Sequence, residues 1–106
     1  MDWKRIPNDK LEIAKIPSAS SSWREIEPFA LRFYEEKYLE SLGGFDWAAQ
    51  LANERTASTL TELRASLFFE QRRWRHVGCD PEDLQLVYVQ SLLWRIRQCV
   101  RRGLLD

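Results

Sequence analysis

The chain has 106 residues, of which 44% are hydrophobic and 30% are charged, a composition typical of one globular domain. Its 16 basic and 16 acidic residues cancel, which argues against a dedicated nucleic-acid-binding protein, because such proteins normally carry a basic excess. The sequence has no apolar run long enough to span a membrane and no apolar signal-peptide core, so we predict a cytoplasmic protein with reduced cysteines and no membrane contact.

The first 21 residues are irregular, with apolar side chains scattered among charges and prolines. The stretch LEIAKI (11–16) has partial strand-like alternation, but a single strand has nothing to pair with. PSASSS (17–22) is typical of a linker. We predict a protruding N-terminal arm or linker over residues 1–21 and a helical domain over residues 22–106. The apolar residues of the arm either lie across that domain or contact another chain.

Two helices are predicted before residue 56. Ser22 and Glu25 form a capping box, and apolar residues then recur on one helical face. Pro28 comes late for a first turn and predicts a frayed or kinked start. After a glycine pair, a second and shorter helix is predicted over residues 45–55.

Two longer helices are predicted in the second half. Thr59 and Glu62 form a capping box that opens a third helix, which ends at about residue 77 before a glycine. In DPED (80–83), Asp80 is the predicted cap and Pro81 the first residue of a fourth helix that runs to about residue 102. Four helices with short connections predict an all-α protein, a small four-helix bundle-like domain with an irregular N-terminal arm.

The third helix is apolar on more than one side when its residues are placed 100° apart. Its predicted core stripe consists of Leu60, Leu63, Leu67 and Trp74. Phe69 points nearly opposite, beside His76. Such a helix either lies at the centre of its bundle or presents a second face to a partner.

Two basic segments, RRWR (72–75) and RIRQCVRR (95–102), lie near the C-terminal ends of the last two helices. The short connection makes these helices antiparallel or sharply angled neighbours. We therefore predict that the segments lie at opposite ends of the bundle, the first one pairing with the acids of DPED. Basic clusters so far apart cannot form one groove for a phosphate backbone, which argues against nucleic acid as a partner.

A helix-turn-helix DNA-binding regulator is the alternative. WAAQLANERTASTLTELRASL (47–67) fits a helix, a three-residue turn and a second helix. The turn lacks glycine, and the start of the second helix offers only Arg64 as a basic residue for contacts with bases.

The sequence gives little support for a metal site or for covalent catalysis. His76 and Cys79 have the spacing of metal ligands, and Cys99 would be the third. However, the fourth helix separates the two cysteines by on the order of 25–30 Å, so they can share neither a zinc ion nor a disulfide. The chain also lacks a phosphate-binding loop and a dinucleotide fingerprint. We predict no enzymatic activity, no catalytic residue, no metal and no cofactor.

Glu70 is the exceptional carboxylate, because it lies at the edge of the core stripe. A buried carboxylate needs a partner, and Arg73 lies one turn away while Arg64 flanks the same stripe. These neighbours predict a satisfied polar network that fixes the helix register. The alternative is a small enzyme or accessory subunit with an acid pocket around Glu70.

The fourth helix carries the best candidate for a contact surface. Its predicted buried face consists of Leu86, Val89, Leu92, Leu93, Ile96 and Val100. Trp94 and Val87, one heptad apart, fall on the other side among glutamine and arginine, a composition typical of interface hot spots. Either the arm or the first helix covers this face, or it contacts a partner.

We therefore predict a non-enzymatic interaction module, a small helical adapter or regulatory subunit, that binds another protein or itself as a homodimer. Aromatic anchors would bury apolar area, and arginines at the rim would give specificity. The predicted contact residues are Trp94, Val87, Arg97 and Arg101, with Phe69 and His76 on the outer face of the third helix. The segment 60–78 has the character of small bacterial proteins, but this character does not point to any particular activity.

Overall fold

The computed structural model describes residues 7–30 and 57–105. Over these ranges the chain is all-α and contains no strand, which confirms the all-α part of the predicted fold class. Two 3-10 turns, Asn8–Lys10 and Ile13–Lys15, precede three helices: α1 (Trp23–Ala30), α2 (Leu60–Val77) and α3 (Leu84–Arg102). The helix predicted over residues 45–55 lies outside the described residues.

Helix α2 begins and ends where local hydrogen bonding predicts. The Thr59 hydroxyl accepts a hydrogen bond from the backbone N–H of Glu62 at 3.1 Å, and the Glu62 carboxylate accepts from the backbone N–H of Thr59 at 3.3 Å. This capping box satisfies two N–H groups that have no partner inside the helix. At the other end Gly78 takes the left-handed conformation, with a φ of 85°, and its N–H bonds to the carbonyl of Trp74.

The start of α3 differs from the prediction. The helix begins at Leu84, and its N-cap is Asp83 instead of Asp80. Asp83 has a φ of 53°, and its side chain makes no capping hydrogen bond. Pro81 is buried. The proline of DPED therefore packs against the domain within the connection, and this tertiary contact takes precedence over the local preference for a first helical turn.

The capping box of α1 contains the hydrogen bond from the Ser22 backbone to the Glu25 side chain. The Glu25 carboxylate accepts hydrogen bonds from the backbone N–H of Ser22 at 3.3 Å and from its hydroxyl at 3.0 Å. Pro28 lies inside the helix. The predicted apolar face is buried as far as the described residues extend, at Trp23, Ile26, Phe29 and Ala30.

Helix α2 lies at the centre of the described fold. Its buried residues lie on most sides of the helix and include charged and amide side chains. They are Leu60, Leu63, Arg64, Ser66, Leu67, Phe68, Phe69, Glu70, Gln71 and Trp74. Leu92, Leu93 and Ile96 of α3 complete the core with no exposed surface. The structure thereby supports the central position that was one of the two predictions for this helix.

Helices α2 and α3 run antiparallel. At one end Arg95, late in α3, donates a hydrogen bond to the carbonyl of Ala57, which precedes α2. At the same end the Asn8 side chain reaches both Thr61 and the carbonyl of Leu105. At the other end Trp74, late in α2, shares a crevice with Leu84. The two basic segments therefore lie at opposite ends of the helix pair, as predicted.

Residues 7–21 lie across α2 and α3, so the prediction of a protruding arm is wrong for this part of the segment. Ile16 is buried in the main core. The Arg97 guanidinium donates to the carbonyl of Ile16 at 2.8 Å and to that of Ile13 at 3.4 Å. Arg64 donates to the Asn8 amide oxygen. The apolar and polar groups of the arm both have partners within the chain.

Candidate interaction surface

The outer side of α3 exposes two large apolar side chains. Trp94 is 55% exposed and Val87 is 58% exposed. They are seven residues apart, so they lie on the same side of the helix, about 10 Å from each other along its axis. Of the two alternatives for this face, a covered one and an open one, the structure shows the open one at Trp94. The predicted buried face lies on the opposite side, where Val89, Leu92, Leu93 and Ile96 have no exposed surface. Its other two members, Leu86 and Val100, are partly buried against the core.

These two residues belong to a longer stripe with alternating spacings of three and four. We call it the α3 seam; its members are Leu84, Val87, Ser91, Trp94, Gln98 and Arg101. Such spacing keeps one line of side chains facing a partner helix. Leu84 is the most exposed large apolar residue among the described ones. Leu84 is absent from the predicted contact residues, although its position in the seam follows from the spacing of three and four residues in the sequence.

A shallow groove of about 440 Å³ adjoins the two anchors. Its walls are formed by Ala19, Val87, Gln90, Ser91, Trp94 and Arg95. Two of these side chains are fixed by internal bonds: Gln90 donates to the carbonyl of Ser21 at 3.0 Å, and Arg95 donates to that of Ala57. The groove is therefore preorganised, since its polar walls are already held in place, and this lowers the entropy lost on binding.

The two arginines predicted at the rim have different positions. Arg101 is exposed in the last turn of α3 and lies in the seam. Arg97 is half-buried, and its guanidinium bonds to two carbonyls of the arm. The contact role predicted for Arg97 needs correction, because its donors are committed to holding residues 13–16. No local pattern indicates this role, since the partners are more than 80 positions apart in the sequence.

The two residues predicted on α2 do not join this surface. Phe69 is 3% exposed, so its predicted place on an outer face is wrong. A helical wheel gives the direction of a side chain but not the presence of another segment over it, and α2 is covered on most sides. His76 is exposed in the last turn of α2, and it is absent from the walls of the groove.

Glu70 lines a separate crevice of about 230 Å³ between the end of α2 and the start of α3. The side chain is 1% exposed. Its Oε2 accepts a hydrogen bond from the Trp74 indole N–H at 2.8 Å. Its Oε1 lies 3.6 Å from a guanidinium nitrogen of Arg73, within ion-pair range, and makes no hydrogen bond. The predicted polar network is thus present but incomplete.

For Arg73, the predicted pairing of the first basic segment with the acids of DPED is wrong. This arginine pairs with Glu70 in its own helix, instead of with the acids of DPED, and stacks 5.3 Å above the ring of Trp74. A partner one turn away on the same helix needs no adjustment of the loop that connects α2 to α3.

The features that bear on DNA binding argue against the helix-turn-helix alternative. Arg64, the basic residue at the start of the supposed reading helix, is fully buried and bonds to Asn8. A side chain in that position cannot reach base edges. The first helix of the supposed motif, residues 47–55, lies outside the described residues.

Cysteine and histidine form no metal centre over the ranges 7–30 and 57–105, where no group of three or more potential ligands occurs. Cys79 is exposed and Cys99 is buried. Within the same ranges, no helix combines the length and the apolar character needed to cross a membrane.

Comparison of the chain with known protein families, curated proteins and solved structures gives no match.

Proposed function

We propose that this protein is a non-enzymatic interaction module, an adapter or regulatory subunit that binds a protein partner through the α3 seam. One observation carries the proposal: Trp94 is more than half exposed beside a groove whose polar walls are held by internal hydrogen bonds. Truncation of a tryptophan at the centre of an interface typically costs about 2 kcal/mol or more of binding energy, which makes Trp94 the expected anchor. The cytoplasmic location and the four-helix bundle-like architecture predicted from the sequence belong to this proposal.

Site-specific photo-cross-linking tests the proposal without assuming a partner. The photoreactive amino acid p-benzoylphenylalanine would replace Val87 in the full chain, and irradiation would be carried out in the cells that produce it. The matched control is Val77, which is 57% exposed against 58% for Val87 and lies at the end of α2. We expect cross-linked protein at position 87 and little at position 77.

Two outcomes contradict the proposal. Equal cross-linking at both positions would mean that exposure alone determines the reaction. The absence of adducts at position 87 would mean that the seam has no protein partner in those cells. Adding Trp94→Ala to the position-87 variant gives a second measurement, because loss of the anchor should weaken specific adducts about 30-fold while leaving the reactive group in place.

A second candidate function is a small-molecule site in the Glu70 crevice, and one observation favours it. The Oε1 atom of Glu70 is buried without a hydrogen bond, and the Glu70 side chain lines the crevice together with Trp74 and Tyr88. A carboxylate next to aromatic rings suits a small organic cation, which would supply both charge and N–H donors. This chemistry supports binding and assigns no reaction.

Methylguanidinium is a suitable probe for this second candidate. The Trp74 indole N–H reports on the site directly, because it donates to Glu70. We expect a saturable change in its NMR chemical shift, and no such change in Glu70→Gln, which keeps the size of the side chain but removes the charge. A change that stays linear with concentration, or that persists in Glu70→Gln, would rule out the site.

A further inference from the structure

We infer that the partner of the α3 seam is a second copy of this chain, bound with the two α3 helices antiparallel and a two-fold axis near Ser91. The inference rests on the proposed function, which it deepens by naming the partner. Three features of the described residues support it: the order of large and small side chains along the seam, the placement of charge at its ends, and its extent.

The order of side chains is self-complementary. With the axis near Ser91, Val87 of one copy lies within about one residue of the level of Trp94 of the other, and the same contact occurs again on the far side of the axis. Two-fold interfaces consist of such repeated contacts. Toward the ends, Leu84 lies opposite Gln98, whose aliphatic stem can pack against it.

The residue at the axis permits close approach of the helices. Ser91 is small, and its hydroxyl donates a hydrogen bond of 2.6 Å to the carbonyl of Tyr88 in its own helix. A serine satisfied in this way can be covered without leaving an unpaired polar group. The two Trp94 side chains would then lie on opposite sides of the contact between the two Ser91 residues. Each indole would cover the part of the other copy's groove that is formed by Val87.

The charges at the two ends of α3 select the antiparallel orientation. The N-terminal end has three exposed acids, Asp80, Glu82 and Asp83, and the C-terminal end has exposed Arg101 and Arg102. In the antiparallel register the arginines of each copy lie beside the acids of the other. A parallel arrangement would place like charges together and would be repelled.

The extent of the seam predicts a weak dimer. One helix face from each copy gives an interface at the low end of specific contacts, on the order of 1,000 Å² in total. Such interfaces correspond to dissociation constants between about 1 µM and 1 mM. The dimer would therefore form and dissociate readily with changes in protein concentration.

A charge exchange tests the inference. One variant reverses the basic end, with Arg101→Glu and Arg102→Glu, and the other reverses the acidic end, with Asp80→Arg and Glu82→Arg. All four side chains are exposed, so both variants should fold. Alone, each variant would bring like charges together in its own dimer, whereas an equimolar mixture would restore opposite charges at both ends.

Sedimentation velocity of the purified full chain, from about 10 µM to 1 mM, is the measurement. We expect a concentration-dependent dimer for the wild type, at least a tenfold weaker one for each variant alone, and recovery in the mixture. Trp94→Ala removes an anchor from each copy, so it should weaken association about 30-fold per anchor, on the order of 1,000-fold for the dimer, whereas the matched control Val77→Ser should leave it unchanged.

A wild type that stays monomeric up to that concentration would overturn the inference, as would a mixture that associates no better than its components. The proposed function has a separate outcome. Adducts from position 87 to a different protein would keep the seam as a contact surface and remove only the second copy as its partner. A protein that stays monomeric and forms no adduct at position 87 would overturn both the proposed function and the proposed dimer.

Discussion

Removing the guanidinium of Arg97 should release the N-terminal arm while leaving the helices folded. Arg97 donates at 2.8 Å to the carbonyl of Ile16 and at 3.4 Å to that of Ile13. Hydrogen bonds from charged donors contribute about 1.5–3 kcal/mol when the bond is short, and the longer of the two is weak. We therefore expect Arg97→Ala to lower the stability of the docked arm by about 2 kcal/mol.

That free energy corresponds to an approximately 30-fold larger population of the open arm. When opening and closing are fast, proteolysis follows this population, so cleavage should accelerate by the same factor. Trypsin cleavage after Lys15 is the readout, since this lysine is exposed but the next residue, Ile16, is buried and bonded to Ile13. Cleavage requires that the arm lift from the helices.

Arg101→Ala is the matched control, because it removes an exposed arginine one turn further along α3. Mass spectrometry of the first cleavage products would measure the rate at this one bond for both variants. Similar rates for Arg97→Ala and Arg101→Ala would refute the reasoning, as would a loss of helical circular dichroism in Arg97→Ala. The first result would mean that burial of Ile16 alone holds the arm.

Three further predictions concern stability, measured by urea denaturation. Thr59→Ala should cost about 1 kcal/mol near neutral pH. The hydrogen bonds from Thr59 lower the pKa of Glu62 below its usual value of 4.5. The ionised carboxylate therefore contributes its full stabilisation above pH 4.5. The cost of Thr59→Ala should shrink as the pH falls through the lowered pKa, because the carboxylate is then protonated. Trp74→Phe should cost about 1–3 kcal/mol, because it removes the donor to the buried Glu70 carboxylate, and Glu70→Leu should restore part of that loss. Leu92→Ala should lower the free energy of unfolding by about 2–5 kcal/mol, because Leu92 is fully buried. Val87→Ser, on the opposite side of the same helix, should change the free energy of unfolding by no more than about 0.5 kcal/mol. Equal effects of the two substitutions would contradict the assignment of the two faces.

Features that depend on near neighbours in the chain were predictable from the sequence. The Thr59–Glu62 capping box and the glycine at the end of α2 involve residues within four positions, and both are present. The buried face of α3 follows from helical periodicity, which relates each side chain to its neighbours three and four positions away. The direction of Trp94, away from that buried face, follows from the same geometry, whereas its exposure also depends on which segments cover the helix.

Features that depend on distant segments were not predictable in the same way. The start of α3 shifts because Pro81 packs into the fold, and no local preference contains that information. Phe69 is covered, although its position on the helical wheel points away from the core stripe. Arg97 holds a segment far upstream, a role that its basic neighbours in RIRQCVRR do not indicate.

The arrangement of polar bonds around α3 explains why the seam remains open while the rest of the helix is covered. On one flank, Gln90 and Arg97 bond to carbonyls of the arm and hold it beside the helix. On the other flank, Arg95 bonds to Ala57. Since the arm is fixed along one edge, it borders the groove through Ala19 without covering Trp94. An indole left exposed between two fixed flanks gains little from folding and much from association, because its apolar area leaves water only when a partner binds.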